Sequence, residues 1–392
     1  MMGQRVVIIG SGAAGVSAAK ALRTRDAELR IDIYSDEEVP PYFRPSLSFA
    51  IAQQPPEPRP MNPPEFYREK NIGLHLNMRA EAIDRTGKKV RFADGSEESY
   101  DFLLLATGAS CFIPPIPGVA LPEAMSLRDH RDLVKLMALL ERKRHALIVG
   151  CGVLGLELSG SLLKLGHRVT MIETAPTILP RQLDAVAGEM YMEMLSGVEN
   201  LEIILGSGVQ EILGADHVEG AVLADGSRID CDLVMISAGA RANRELAEAC
   251  GLNTDRGILV GPDMVTNDPA IFAAGDCVEI ICRTYGLQEP AIEQGRIAAA
   301  RILGDDQAAF SCGVYGATLT AFGVKLFSAG ATGGDDCREF IDREKKIYRK
   351  IFLAGGRVVG GILLGDTSRS VILKQAIAAQ LDGTHAAEAG LF

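Results

Sequence analysis

One pattern occurs twice in this chain and leaves little choice of fold: a short apolar run, a Gly-x-Gly-x-x-Gly turn, a helical stretch and a second strand. In the first copy Arg5-Val6-Val7-Ile8-Ile9 ends in Gly10-Ser11-Gly12-Ala13-Ala14-Gly15. An Ala-rich helical pattern then runs to about Arg23, and Ile31-Asp32-Ile33-Tyr34 reads as a strand. In the second copy Ala146-Leu147-Ile148-Val149 leads into Gly150-Cys151-Gly152-Val153-Leu154-Gly155, a helix to about Leu165 and the strand Val169–Glu173. A lone Gly-rich turn says little, but here each copy follows a strand, opens a helix and returns to a strand, the context that gives the motif meaning. The first Gly makes the tight turn, the second lets backbone approach a pyrophosphate, and the third lets helix and strand pack closely. The helix N-terminus behind it offers free N–H groups and the positive end of a dipole to phosphate. Two β-α-β units point to two parallel sheets, each built to hold a dinucleotide.

The parts around each unit repeat as well, at an interval of about 140 residues. Val90–Gly95 and Glu98–Leu105 read as strands about an Asp-Gly turn, and Val222–Gly226 and Cys231–Ser237 echo them. Val39 to Pro64 carries nine prolines and is expected to be irregular or extended, since each fixes φ and removes a donor. The run Pro114-Pro115-Ile116-Pro117-Gly118 marks a boundary, followed by a helical stretch over 128–143. From about Phe310 short strands alternate with Gly-rich turns, among them Lys346–Leu353 and Arg357–Leu364, before an Ala-rich helix near Val371–Leu381. That is α+β in style.

Composition narrows the function. A net charge of -11 argues against nucleic acid as a partner, which would require a basic stripe to neutralise phosphates. No stretch approaches the roughly 20 apolar residues of a membrane span, and Met1–Gly10 shows no signal-peptide pattern, so a cytoplasmic location is expected. The eight cysteines form no C-x-x-C pair, which gives no support to a structural zinc site. Cys277 and Cys282 have a C-x4-C spacing, but buried thiols are the plain reading of these scattered cysteines.

The acid after each second strand bears on the nucleotide. Glu173 stands 18 residues beyond Gly155, where a carboxylate accepts both hydroxyls of an adenosine ribose and repels a 2′-phosphate. Thr174-Ala175-Pro176 supplies no arginine to hold such a phosphate, so NADH is favoured over NADPH. In the first unit Asp36, Glu37 and Glu38 follow the strand; Glu37 is the favoured ribose ligand, a solvated acidic turn the alternative.

With Leu104-Leu105-Ala106-Thr107-Gly108-Ala109 before the Pro-rich crossing and Ile271-Phe272-Ala273-Ala274-Gly275-Asp276-Cys277 late in the chain, the two units resemble the FAD-dependent pyridine nucleotide-disulfide oxidoreductase superfamily across nearly the whole sequence. The resemblance implies an α/β protein with two Rossmann-like domains: a split FAD domain (1–115 and 238–309), an inserted NADH domain (116–237) and a small α+β C-terminal domain (310–392). It implies FAD and NADH as cofactors, with Gly10, Gly12, Ala13, Ala14, Gly15, Thr107, Gly108 and Gly275 around the flavin nucleotide and Asp276 bonding the ribityl chain. Gly150, Gly152, Gly155 and Glu173 are placed at NADH, with Glu157 and the Ser237-Ala238-Gly239 segment positioning it.

Pro41–Ser48 and Leu179–Asp184 look most like the NADH:rubredoxin oxidoreductase and nitrite reductase flavin-domain branch, and Tyr348–Ile351 and Val359–Asp366 are similar to its C-terminal domain. Arg44 and Pro45 are then at the FAD, Arg44 as the cation beside its pyrophosphate. The departures matter equally. Where thiol-using members carry a redox cysteine this chain has Pro45, and no cysteine precedes Cys111. Phe49 stands where ferredoxin-reductase relatives often place a lysine, while Glu157, which could pair with it, remains. The resemblance therefore implies flavin-centred chemistry with no catalytic side chain and no metal: electrons pass from NADH to a small carrier protein of the rubredoxin or ferredoxin type. An oxidase using oxygen or a small quinone, and a flavin subunit of a larger complex, are the alternatives. Arg343, Lys345, Lys346, Arg349 and Lys350 are a docking patch or a solvated strand and turn. The oligomeric state is not legible.

Overall fold

A computed structural model describes residues 3–142, 144–281, 283–386 and 390–391. The first sheet is parallel throughout, in the order Ile271–Ala273, Phe102–Leu105, Arg5–Ile9, Arg30–Tyr34, Gly73–His75. The second is also parallel, in the order Ala124–Met125, Leu233–Ile236, His145–Val149, Arg168–Glu173, Leu201–Leu205. Position for position the two orders correspond, and each central strand is the one that feeds a glycine turn. After Arg5 and His145 both are apolar to their ends, because a parallel sheet is covered on both faces. Val6 and Ile8 enter one buried cluster while Val7 and Ile9 enter another; Ala146 and Ile148 are divided from Leu147 in the same way. Each sheet carries a three-stranded antiparallel meander, at residues 80–99 in the first and 209–229 in the second.

The expected strand Glu98–Leu105 is in fact two. Glu97–Ser99 closes the meander, and Phe102–Leu105 starts afresh in the parallel sheet. Asp101 makes the break, its carboxylate accepting the backbone N–H of Arg5 at 2.7 Å where the neighbouring strand begins. The helix expected over 128–143 is shorter, His130–Leu139: Asp129 sets its start through a reciprocal capping box with Asp132, and it closes at Leu140, whose N–H reaches both Leu136 O and Met137 O; Lys143 lies outside the described residues. The proline-rich stretch is largely irregular but holds a short helix, Leu47–Ala50.

The last unit is a five-stranded antiparallel sheet, ordered Gly316–Ala321, Val324–Gly330, Arg357–Leu364, Ile347–Ala354, Asp336–Asp342, with the helix Ser370–Ala378 against it. Its apolar contact is with the second glycine unit, where Leu319, Leu326, Tyr348 and Phe352 share one buried cluster with Leu156, Leu162, Met190 and Tyr191, and Lys374 pairs with Glu289 of helix Gln288–Ile302. A polar clamp reinforces that contact. Asp184, the N-cap of helix Ala185–Leu195, accepts from Ala187 N at 3.0 Å and the Tyr348 hydroxyl at 2.8 Å, and pairs with Lys350 Nζ at 2.9 Å. No helix among the described residues is long and apolar enough to cross a membrane.

Candidate functional site

The two glycine turns are built alike, down to what each glycine meets. Gly10 has φ +110° and Gly150 φ +111°, and a Cβ on either would lie 2.1 or 2.4 Å from the carbonyl oxygen of Ala106 or Ser237. A Cβ on Gly15 would lie 2.2 Å or less from Gly10 O, and one on Gly155 would meet Gly150 O at 2.2 Å. First and third glycines are thus required by the chain's own packing. Gly12 and Gly152 are different: a Cβ there would meet nothing within 4 Å. Each is the N-cap of a long helix, Ala13–Arg25 or Val153–Lys164, and neither helix has a side-chain cap. The first-turn N–H groups therefore open onto a cradle that suits a diphosphate.

Around the first cradle, Ala14 sits where helix Ala13–Arg25 meets helix Gln288–Ile302; Gly295 lies against its carbonyl and Gly275 (φ +93°) against its Cβ. Gly275 N donates to the buried Gln294 Oε1 at 2.8 Å, which fixes the turn that presents Asp276. Thr107 and Gly108 are held from across the chain, with Thr107 Oγ1 donating to Asn243 O at 2.7 Å, Asn243 Nδ2 to Thr107 O at 2.8 Å and Asn243 N to Gly108 O at 3.0 Å. Beside them Ala109–Cys111 and Ala240–Ala242 form the antiparallel ribbon that joins the two units, and Gly239 (φ +104°) accepts from Phe112 N at 2.9 Å.

Glu37, Arg44 and Arg128 form one cluster. Buried Glu37 accepts from the Tyr42 hydroxyl at 2.6 Å and pairs with Arg44, which precedes Pro45 in the turn Arg44–Ser46. Arg44 Nη1 donates to Arg128 O at 2.9 Å, and Arg128 reaches Asp276 at 3.1 Å and Ala109 O at 2.6 Å. Glu37 thus engages both oxygens within the chain, as the anchor of Arg44. At the second cradle Glu173 accepts from Cys151 N at 3.0 Å and Ala175 N at 3.0 Å, so its carboxylate is held at the mouth of the glycine turn.

Between the cradles, Ser48 Oγ donates to Glu157 Oε2 at 2.8 Å. Burial pushes the Glu157 carboxyl up to about 7, against the opposing pull of the Ser48 hydroxyl. Phe49 is 38% exposed.

Arg128, Asn243 and Ser48 carry no signal in the sequence because their partners lie more than a hundred residues off, and Gln294 carries none because it is a lone amide within an amphipathic helix. Two further expectations meet the structure here. Cys277 is fully buried, its thiol directed at the carbonyls of Ala274 and Leu105, while Cys282 lies outside the described residues. The basic segment is largely paired: Arg343 with Glu193, Lys345 with Asp342, Arg349 with Asp366, Lys350 with Asp184 and Glu339. It is a neutralised strand and turn rather than a free cationic patch. No group among the described residues has the His, Cys, Asp or Glu content to hold a metal ion.

Comparison with known proteins agrees with this geometry. Residues 4–300 match the family described as pyridine nucleotide-disulphide oxidoreductase, and residues 317–381 match the rubredoxin NAD+ reductase C-terminal domain. A nitrite reductase (NAD(P)H) of Bacillus subtilis is 34% identical over 383 residues, covering 95% of this chain and 48% of that protein. The chain thus spans about half the length of that relative. A rubredoxin-NAD(+) reductase of Pseudomonas putida is 33% identical over 333 residues, 81% of this chain and 86% of its own. Among solved structures, a ferredoxin reductase for the CYP199A2 system from Rhodopseudomonas palustris superimposes with TM-score 0.91 at 28% identity, over 99% of this chain and 98% of its own.

Proposed function

The chain belongs to the pyridine nucleotide-disulphide oxidoreductase family, and we propose that it is an NADH-dependent flavoprotein passing electrons to a small redox carrier of the rubredoxin or ferredoxin type. The observation that carries this reading is the pair of cradles: two uncapped helix N-termini, each behind a glycine whose missing side chain serves nothing in the protein itself. One cradle takes FAD and the other NADH. The division 1–115 with 238–309, 116–237 and 310–392 follows, supported by the strand Ile271–Ala273 returning to the first sheet.

Bound FAD would supply the redox chemistry, accepting hydride from NADH and releasing electrons singly. The chain's part is to bind and orient. Gly10, Gly12, Ala13, Ala14 and Gly15 bring backbone N–H groups to the FAD diphosphate, and Arg44 with Arg128 adds positive charge beside it. Glu37 anchors Arg44 and lies on the ribose side; Pro45 fixes the turn that carries the guanidinium. Thr107, Gly108 and Gly275 shape the wall, and Asp276, braced by Arg128, accepts from the ribityl chain. Gly150, Gly152 and Gly155 do the same for NADH, with Glu173 on its ribose and Glu157 and Gly239 at its nicotinamide end. No side chain acts as nucleophile: Pro45 and Phe49 occupy the turn beside Ser48, and the buried Cys151 thiol is pushed up to about 12 by desolvation.

A second reading, a flavin module that feeds a separate redox chain, is favoured by the length of the nitrite reductase relative. We place the protein in the cytoplasm, where its free cysteines remain reduced. Anaerobic mixing with NADH tests the proposal: the flavin absorbance should bleach and return on adding oxidised rubredoxin. A spectrum that stays oxidised would overturn it, and recovery with oxygen but not with rubredoxin or ferredoxin would transfer the assignment to an oxidase.

A further inference from the structure

Glu157 stands alone in an unusual way. It lies on the second turn of the helix that follows the second glycine turn, so a nucleotide bound there with its reactive end directed at the first unit passes over it. Its carboxyl is turned toward that unit, where Ser48, 1% exposed and 109 residues away in sequence, donates the one hydrogen bond it receives among the described residues. Among the described residues no lysine, arginine or histidine pairs with Glu157. From helix Ala185–Leu195 it faces Tyr191, whose hydroxyl is buried without a hydrogen-bond partner and whose ionisation the Glu157 charge opposes. Strand Gly316–Ala321 packs Leu319 and Ala321 into the same apolar cluster as Leu156 and Leu158, the neighbours of Glu157 in its helix, and brings no charged side chain into that cluster. A carboxyl so placed responds to whatever charge is brought over it, because no cation among the described residues compensates its own.

The two forms of the nucleotide differ in that charge: the nicotinamide ring of NAD+ is cationic and the dihydronicotinamide of NADH is neutral. We propose that Glu157, held by Ser48, discriminates the two redox forms of the nucleotide through its own protonation. Neutral Glu157 tolerates being covered by the neutral reduced ring, and binding of that ring takes up a proton. Ionised Glu157 favours the cationic oxidised ring, and its formation releases one. Ser48 is the positioning residue, since its hydroxyl stabilises the ionised form and sets the pH at which preference turns over. The burial that places this carboxyl near neutrality supports the assignment. The inference rests on the NADH reading of the second cradle.

The test uses FAD-loaded protein and two ligands that cannot reduce it: NAD+ and tetrahydro-NAD, whose ring is neutral. The ratio of their dissociation constants is measured at about pH 6 and about pH 8. Contacts to the shared dinucleotide cancel in the ratio. It should shift toward NAD+ by about tenfold, the change that one pKa unit of difference between the two complexes produces. Glu157→Gln should make the ratio independent of pH. Ser48→Ala should move the midpoint upward, and Ser48→Thr should restore it. Infrared difference spectra should show a protonated-carboxyl band lost over the same range and missing in Glu157→Gln.

A wild-type ratio constant within about twofold overturns the proposal, as does an unchanged midpoint in Ser48→Ala or a pH-dependent ratio in Glu157→Gln. Failure of both ligands to bind at either pH would instead overturn the nucleotide reading on which it rests.

Discussion

Arg128 and Asp276, 148 residues apart, meet at 3.1 Å across the first cradle. The same guanidinium donates to Ala109 O, and the Arg128 carbonyl accepts from Arg44, so one residue ties Asp276 to Arg44. Arg128→Ala should therefore free Asp276 and leave Ala109 O unpaired, while the backbone carbonyl at 128 still holds Arg44, and should weaken FAD retention by roughly tenfold or more, the worth of one or two charge-assisted hydrogen bonds. Arg128→Lys should recover only part, because a compact ammonium lacks the planar guanidinium's preset geometry, in which separate nitrogens reach Ala109 O and Asp276. Flavin released on dialysis and the affinity of apoprotein for FAD are the measurements; unchanged retention in Arg128→Ala would remove Arg128 from the site.

The glycines separate folding from binding. Gly10→Ala and Gly15→Ala should yield little folded protein, since the new methyl collides with backbone oxygen at 2.1 Å. Gly12→Ala and Gly152→Ala meet nothing within 4 Å and should fold with near-normal melting temperatures. Gly12→Ala should lose FAD, whereas Gly152→Ala should keep its flavin yet bind NAD+ poorly. Calorimetry and flavin content on the four variants check this, and full FAD retention in Gly12→Ala would sink the cradle assignment.

Much of this was legible in the sequence because it is local. Gly10 to Gly15 and Gly150 to Gly155 are contiguous, and the period-two division of Val6 and Ile8 from Val7 and Ile9 needs only the strand itself. The break at Asp101 was not legible: an apolar run after a hairpin looks continuous until Arg5 supplies the N–H that Asp101 captures. Arg128, Asn243 and Ser48 escaped notice for the same reason, each defined by a partner more than a hundred residues away. The pairing of Arg343 with Glu193 likewise belongs to tertiary structure, so a run of basic residues looked freer than it is.

Asp184 holds the last unit to the second. Its carboxyl is kept below its ordinary value of 3.8 despite burial, by the Ala187 N–H, Lys350 and Tyr348. A depressed carboxyl contributes stability above its ordinary pKa and loses it as pH falls through the depressed value. Asp184→Asn should cost about 1 to 3 kcal/mol at neutral pH in urea unfolding, with the difference narrowing in acid below the ordinary carboxylate range. A gap that widens on acidification would contradict the clamp.

Glu157 runs the other way. Its carboxyl stands at about 7 against an ordinary 4.5, so the folded state holds a proton that the unfolded chain releases first. Stability from this group is full below the lower value and is lost as pH rises through the higher one. Glu157→Gln, permanently neutral, should gain on the order of 2 kcal/mol relative to wild type on passing from mildly acidic to mildly alkaline buffer. Melting curves of the two proteins across that range are the check; parallel curves would count against a perturbed carboxyl.

The strand Ile271–Ala273 completes the first sheet, and helix Gln288–Ile302 covers helix Ala13–Arg25, yet both are made long after the sheet's centre. All five strands of the second sheet, by contrast, fall between Ala124 and Ile236. On the ribosome the second cradle can close while the first still waits for an edge. The order of synthesis thus reverses the order of the chain: the half that begins first finishes last, and a chain cut short before Ile271 would emerge with a closed second half beside an open sheet edge.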